Sequence, residues 1–204
     1  WASVSTGGNH TCGVTTAGDA YCWGRNVYGQ LGDGTTTERH EPVLVSGGHT
    51  WASVGGGRGS YDSEHSCGVT TFGEAYCWGY NLYGQLGDGT TTDRHEPVLV
   101  SGGNNSVSVS AGSYHTCEVT TFGEAYCWGG NSYGQLGDGT TTQRSVPTLV
   151  SGGHAWTSVD SSQYHTCGVT TAGAAYCWGS NGNGRLGIGT TTSRYIPTKV
   201  GGNW

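Results

Sequence analysis

The sequence has no methionine, two phenylalanines and four prolines among its 204 residues, and only 11% of it is charged. Lysine and arginine together number eight, too few for a coiled coil or a basic nucleic-acid surface. No long apolar run occurs and mean hydropathy is -0.41, which excludes a membrane-spanning helix. The net charge of -6 comes from scattered carboxylates, which favours solubility and opposes binding to phosphate backbones. A chain without methionine is expected not to be an intact translation product, but one that has lost a leader or is a segment of something larger. No signal-peptide-like stretch is left to read. What the sequence has in excess is glycine, 40 residues, without the strict three-residue period of collagen. Aliphatic residues are sparse, so eight tryptophans and twelve tyrosines must supply an aromatic core.

The chain repeats. Around Trp23 it reads HTCGVTTAGDAYCWG, around Trp78 HSCGVTTFGEAYCWG, around Trp128 HTCEVTTFGEAYCWG and around Trp178 HTCGVTTAGAAYCWG. An asparagine follows each (Asn26, Asn81, Asn131, Asn181), then YGQLGDGTTT, which decays to NGRLGIGTTT in the fourth copy. One proline closes each unit (Pro42, Pro97, Pro147, Pro197), and a valine follows it at Val45, Val100, Val150 or Val200. A W-x-S-V segment then opens the next unit at Trp51 and Trp156, as at Trp1, with Ser106 in the tryptophan column of the third. Units are assigned to 1–50, 51–105, 106–155 and 156–204. The second carries five extra residues between Val54 and Cys67, and Trp204 stands where a fifth would begin. Such periodicity is the signature of a repeat architecture.

Within a unit the hydrophobic period is two. Thr11 to Thr15 and Asp19 to Trp23 read as strands, and Thr16-Ala17-Gly18 suits a three-residue hairpin with a left-handed glycine. Trp1 to Val4 and Val43 to Val45 supply two more strands. Four short strands per fifty residues, with glycine-rich turns and no helix signal, predict an all-β fold of four-stranded antiparallel propeller blades. The string H-[ST]-C-x-V-T-T-x-G-x-A-Y-C-W-G-x-N-x-x-G-Q-L-G-x-G, followed by Pro and Val, resembles the regulator-of-chromosome-condensation repeat over essentially the whole chain. That family closes seven blades, whereas four are present here. The expected ring is therefore closed by oligomerisation or continued head to tail, because an uncapped row exposes apolar end faces.

Cys12/Cys22, Cys67/Cys77, Cys117/Cys127 and Cys167/Cys177 share a C-x9-C spacing. Counting out from the turn places the members of each pair opposite one another, with Cα atoms about 4.5 Å apart. Disulfides are the preferred reading, each worth roughly 2.5–3 kcal/mol on the chain-entropy model. Zinc sites pair cysteines two to four residues apart, which argues against a metal. Reduced buried cysteines are the other alternative. Disulfides imply a secreted, extracellular or cell-surface protein. The sequons at Asn9 and Asn104 are compatible with that location, as possible glycan acceptors.

The histidine column His10, His65, His115, His165 reads as structural, because equivalent positions on neighbouring blades lie about 10 Å apart, too far to share a metal. Asp33, Asp88 and Asp138 each stand alone in a turn, far short of calcium's oxygen set. No nucleophile elbow, His-Glu-x-x-His or Gly-Lys-[Ser/Thr] loop is present. Departures from the repeat are the pointers left: the Arg58 to Glu64 insertion with Tyr61, Asp62 and Glu64, then Glu118 in a glycine column and Arg185 in a glutamine column.

No catalytic, cofactor or metal residue is assigned, and the protein is expected not to be an enzyme. The leading expectation is an extracellular structural or assembly subunit that presents surface loops and partners with itself or with further blades. The alternative is a secreted protein-binding module or inhibitor, similar to the propeller-type β-lactamase inhibitors of this superfamily, using Tyr61, Asp62, Glu64, Tyr80 and Tyr195. Nucleic-acid partners and membrane insertion are not expected.

Overall fold

The computed structural model describes residues 1–58, 64–103 and 105–202. Among them lie sixteen strands in four antiparallel four-stranded sheets, each built from four consecutive strands in order. The first sheet comprises β1 (Ser3–Thr6), β2 (His10–Val14), β3 (Ala20–Gly24) and β4 (Arg39–Leu44). The second comprises β5 (Trp51–Gly56), β6 (His65–Thr70), β7 (Ala75–Gly79) and β8 (Arg94–Leu99). The third runs β9 (Ser106–Ala111), β10 (His115–Thr120), β11 (Ala125–Gly129) and β12 (Arg144–Leu149). The fourth runs β13 (Trp156–Ser161), β14 (His165–Thr170), β15 (Ala175–Gly179) and β16 (Arg194–Lys199). No helix among the described residues is long and apolar enough to cross a membrane.

The central hairpin of each blade has the register read from the sequence. Val14 faces Ala20, Gly13 faces Tyr21 and Cys12 faces Cys22. Thr15 N–H donates to Asp19 O at 2.9 Å, and Gly18 closes the turn at φ 89°, a left-handed conformation that suits glycine. The first and last strands differ from expectation. β1 starts at Ser3 rather than Trp1, whereas β5 and β13 start at their tryptophans. Trp51 and Trp156 each donate a backbone N–H to the hairpin glycine of the preceding blade (Gly18 and Gly123, at 2.8 and 2.7 Å), and no described blade precedes Trp1. β4 extends back to Arg39 and takes in Pro42, which an edge strand tolerates because its missing N–H costs no ladder bond.

Successive sheets stack, β2 against β5, β6 against β9 and β10 against β13, with β1, β5, β9 and β13 side by side at the inner end. The core therefore sits between blades: Cys12, Cys22 and Leu31 of the first pack with Trp51 and Trp78 of the second. Each joint uses one device. Trp78 Nε1 donates to Gln30 O at 3.0 Å, as Trp128 does to Gln85 O and Trp178 to Gln135 O, both at 2.9 Å. Gly32 sits over the indole at φ 71°, where an added Cβ would come within 2.7 Å of Trp78 Nε1.

The row has two open faces. Trp1 is 59% exposed, against 3% for its counterparts Trp51 and Trp156. At the other end Val169 is 41% exposed, against 2% for Val14.

In the third blade two departures from the repeat compensate each other. Trp51 and Trp156 lie over Gly68 and Gly168, where a Cβ would meet the indole at 2.8 Å. The third blade has Ser106 and Glu118 at these positions. Both are buried, and Ser106 Oγ donates to Glu118 Oε2.

Candidate functional site

The loop after each third strand is fixed by its own polar groups. Asn26 is buried; its Nδ2 donates to Thr35 O and Thr37 O at 3.1 and 3.0 Å, and its Oδ1 accepts from Leu31 N–H at 2.9 Å. Asp33 accepts from Thr35 N and Oγ1 and from Arg39 Nε and Nη2, at 2.7–3.0 Å. Burial alone would raise the Asp33 pKa, but the bonds from Thr35, Arg39 and Asn26 outweigh it and hold the carboxyl below its ordinary range. The arrangement recurs at Asp88 with Arg94 and at Asp138 with Arg144. Ile188 replaces the aspartate in the fourth blade, whose loop keeps the asparagine clamp through Asn181 Nδ2 to Thr190 O and Thr192 O.

These fixed loops hold tyrosines against one another along one rim. Tyr28 meets Tyr80 at 4.8 Å between ring centroids, Tyr80 meets Tyr83 at 6.3 Å and Tyr83 meets Tyr114 at 5.2 Å. Tyr114 stacks on Tyr164 at 5.4 Å with the ring planes 19° apart, and Tyr133 closes on Tyr164 edge-on at 5.2 Å. Arg25 lies over Tyr28 at 6.0 Å, a cation–π distance. Burial, then the neighbouring Tyr83 and Tyr28, push the Tyr80 hydroxyl up to about 12, so it stays protonated at neutral pH. The arc spans all four blades. Tyr83, Tyr114, Tyr133 and Tyr164 enclose a cleft of about 140 Å³ with Gln135, Gly130 and Ser132.

The arc draws on two columns in which the repeats differ and on one that is nearly constant. The residue before the histidine is Asn9, Glu64, Tyr114 or Tyr164; the residue after the Trp-Gly pair is Arg25, Tyr80, Gly130 or Ser180. A third column supplies Tyr28, Tyr83 and Tyr133, with Asn183 in the fourth blade. Of these residues the sequence marks Tyr80 and Glu64 as partner-binding candidates and Asn9 as a glycan acceptor. Divergence of their column was the available signal for Tyr114 and Tyr164, recurrence the signal for Tyr28, Tyr83 and Tyr133, and only the fold shows that they share a rim.

The other expected site residues fall elsewhere. Glu64 is a correction: read as part of a partner-binding surface loop, it is fully buried. Its carboxylate accepts from Asn9 Nδ2 at 2.7 Å and Gln30 Nε2 at 2.8 Å, bracing the first joint. Asn9 is half-buried, and the nitrogen that a glycan would be joined to is the one donating to Glu64, which gives Asn9 a structural role. Tyr195 is 47% exposed on β16 and lies over Gly134, with no ring contact to Tyr80 among the described residues. Tyr61, Asp62 and Asn104 lie outside the described residues. Disulfides join Cys12–Cys22, Cys67–Cys77, Cys117–Cys127 and Cys167–Cys177 across Cα separations of 4.0–4.1 Å.

The histidine column forms a ladder between blades. His10 Nε2 meets Ser66 Oγ at 2.7 Å; His65 and His115 meet Thr116 and Thr166 at 2.8 Å. Each hydroxyl donates to a glutamine carbonyl, Gln30 O, Gln85 O or Gln135 O, at 2.8 Å. With its proton committed there, the hydroxyl accepts from the histidine, which fixes the neutral Nε2–H tautomer. Nδ1 of all four histidines is buried without a protein partner. Burial pushes the pKa of His10 down to about 4, and burial with neighbouring histidines takes His65 and His115 to about 3.

Comparison with known proteins agrees with this architecture. The model of the regulator of chromosome condensation (RCC1) repeat matches residues 17–60, 73–119, 123–169 and 172–203. The chain belongs to the RCC1-repeat family. Over 113 residues it is 36% identical to the ultraviolet-B receptor UVR8 of Arabidopsis thaliana, covering 53% of this chain and 24% of the receptor. It is 34% identical over 114 residues to the human E3 ubiquitin-protein ligase HERC2, covering 52% of this chain and 2% of the ligase. The chain thus spans a quarter or less of these relatives. The structure of Prp20p from Saccharomyces cerevisiae, described together with its binding to Gsp1p and histones, superposes with a TM-score of 0.85. That match is at 21% identity and covers 98% of this chain and 50% of Prp20p, a likeness of fold. The expected β-propeller class and RCC1-type repeat are both found.

Proposed function

We propose that this RCC1-repeat chain is a non-enzymatic protein-binding scaffold that works outside the reducing cytosol and engages its partner through the tyrosine arc. One observation carries the reading. Six tyrosines contributed by all four units meet ring to ring along this rim, and tyrosine is a residue enriched in binding hot spots. Partner binding by the related Prp20p supports it by analogy of fold. Four disulfides, which persist in oxidising surroundings, support the location.

The test is selection of peptides from a displayed library against the intact disulfide-bonded protein and against a triple variant, Tyr28→Ser, Tyr83→Ser, Tyr133→Ser. Enrichment that depends on the three tyrosines is expected. An absence of enriched peptides, or peptides that bind both proteins equally, would overturn the reading.

A second reading, assembly through the end faces, is favoured by the exposure of Trp1 and Val169 where internal counterparts are covered. On this reading the faces are covered by equivalent blades, from another copy or from further units of a longer chain. Molar mass by light scattering, with images of the same sample, tests the first arrangement. A species near the chain mass of 21.1 kDa at all concentrations would exclude self-association.

A further inference from the structure

The third joint differs from the first in what its glutamine meets. At the first joint Gln30 Nε2 donates to the Glu64 carboxylate. At the third, Tyr164 stands in the glutamate column and offers a ring. Gln135 is 2% exposed; its Oε1 accepts from Tyr133 N–H at 2.9 Å, and its backbone O accepts from Thr166 Oγ1 and Trp178 Nε1. No acceptor among the described residues takes its Nε2, and the residue lines the cleft under Tyr83, Tyr114, Tyr133 and Tyr164. Unlike its counterpart Gln85 Nε2, which is sealed in protein, this donor borders the open cleft, where a ligand acceptor can pair with it. The lining carries no formal charge and is mostly aromatic ring.

We propose that this cleft is a binding site for a proline-rich segment of a partner protein in the polyproline II conformation. The inference rests on the protein-binding reading and names the partner chemistry at that rim. Proline rings are flat apolar faces that lie on tyrosine, and aromatic-lined grooves are how such segments are held elsewhere. Proline has no N–H, so the segment brings carbonyl acceptors and few donors, which matches an unpaired donor on the cleft floor. A saccharide, the other ligand that stacks on tyrosine, brings many hydroxyl donors as well. The described lining offers few side-chain acceptors for them beyond Ser132 and the tyrosine hydroxyls, and unsatisfied buried donors are penalised. The uncharged lining disfavours an acidic or basic peptide.

The experiment titrates the intact, non-reduced protein with three probes: a capped polyproline peptide, a glycine–serine peptide of the same length, and a neutral glucan oligosaccharide. Saturable binding of the polyproline alone is expected. Tyr133→Ala should weaken it about tenfold or more, as loss of a tyrosine anchor does. Gln135→Glu, which keeps the acceptor for Tyr133 N–H and replaces the unpaired donor by an oxygen, should weaken it comparably. Thermal unfolding of both variants establishes that they are folded, and Tyr133→Ala, at a side chain 45% exposed, serves if Gln135→Glu is not. No saturation with polyproline, an affinity unchanged by Tyr133→Ala, or saturation by the glucan instead would overturn the proposal. Library peptides that need the tyrosines but lack proline would overturn this inference alone and leave the protein-binding reading standing.

Discussion

Mild acid should destabilise this protein through its histidine ladder. His10, His65 and His115 are neutral in the folded state, with pKa values near 4, 3 and 3, whereas an unfolded histidine titrates near 6.5. Between those values the unfolded chain binds the more protons, so stability is full above the unfolded pKa and falls as pH drops toward the folded one. At about pH 5 each ladder histidine costs about 2 kcal/mol relative to neutral pH, a figure set almost wholly by the unfolded pKa. The three together cost about 6 kcal/mol, comparable with the whole stability of many domains. The depressed aspartates Asp33, Asp88 and Asp138 act in a lower window, since their contribution is lost only as pH falls through their folded pKa values, below the ordinary carboxylate range. The assay is urea unfolding followed by tryptophan fluorescence, without reductant, at about pH 7.5 and about pH 5. His65→Gln isolates the cause: its amide can still donate to Thr116 but does not titrate, so the pH difference should shrink by about a third, or about 2 kcal/mol. Equal stability at the two pH values, or a difference that His65→Gln leaves intact, would refute the reasoning.

Three further perturbations probe the joints and hairpins. Ser106→Trp should clash with Glu118, and Glu118→Gly should leave space beside a cavity of about 90 Å³; the double variant recreates the tryptophan-over-glycine pair of the other blades. A double-mutant cycle should therefore show favourable coupling of about 1–3 kcal/mol, and additive effects would contradict the compensation. Gly87→Ala puts a Cβ within 2.6 Å of Trp128 Nε1 at a left-handed φ of 72°. It should cost about 2–4 kcal/mol in chemical unfolding, and a loss below half a kcal/mol would show that the joint yields easily. Timed reduction with mass mapping should open Cys167–Cys177 first, because Cys167 is half-buried at an end face while the other six cysteines are at most 1% exposed. Simultaneous opening of all four bridges would count against burial as the control.

What the sequence revealed was set by short-range geometry. The hairpin register follows from a three-residue turn, and the opposed cysteines follow from the register, so both could be read by counting. Glu64 could not. Its two amide partners are 55 and 34 residues away, and nothing near it in the chain marks a carboxylate that two amides will enclose. An acidic residue next to a glycine-rich insertion reads as solvated until the adjoining blade is in place. Tyr195 is exposed as anticipated, and its place over Gly134, the residue after Tyr133, depends on which blade lies beside it. The start of β1 depends on a backbone donor–acceptor pair supplied by a neighbouring blade, and no local propensity encodes that.

The repeat separates two kinds of column, and the separation explains how four similar units can carry one asymmetric surface. Joint residues such as Gln30, Gly32 and Trp78 work through backbone carbonyls, a left-handed turn and an indole N–H. Each depends on its counterpart one blade away, so a change at any of them disturbs a joint. Rim residues Tyr28, Tyr80, Tyr83 and Tyr133 touch chiefly one another, over loops already fixed by the asparagine clamp. They can vary without loosening a joint. Glu64 tests the separation, because it stands in a rim column yet braces a joint through Gln30 Nε2. Where tyrosine replaces it, at positions 114 and 164, the joints keep their Trp–Gln and histidine–hydroxyl bonds. The joint therefore does not require the carboxylate. What the replacement changes is the glutamine side chain: Gln85 Nε2 is buried without a partner, and Gln135 Nε2 has no acceptor among the described residues. Gln85 is sealed in, whereas Gln135 borders a cleft. The same substitution thus leaves a buried unsatisfied amide at one joint and a recognition group at the next, and the difference lies in what the neighbouring rim residues leave open.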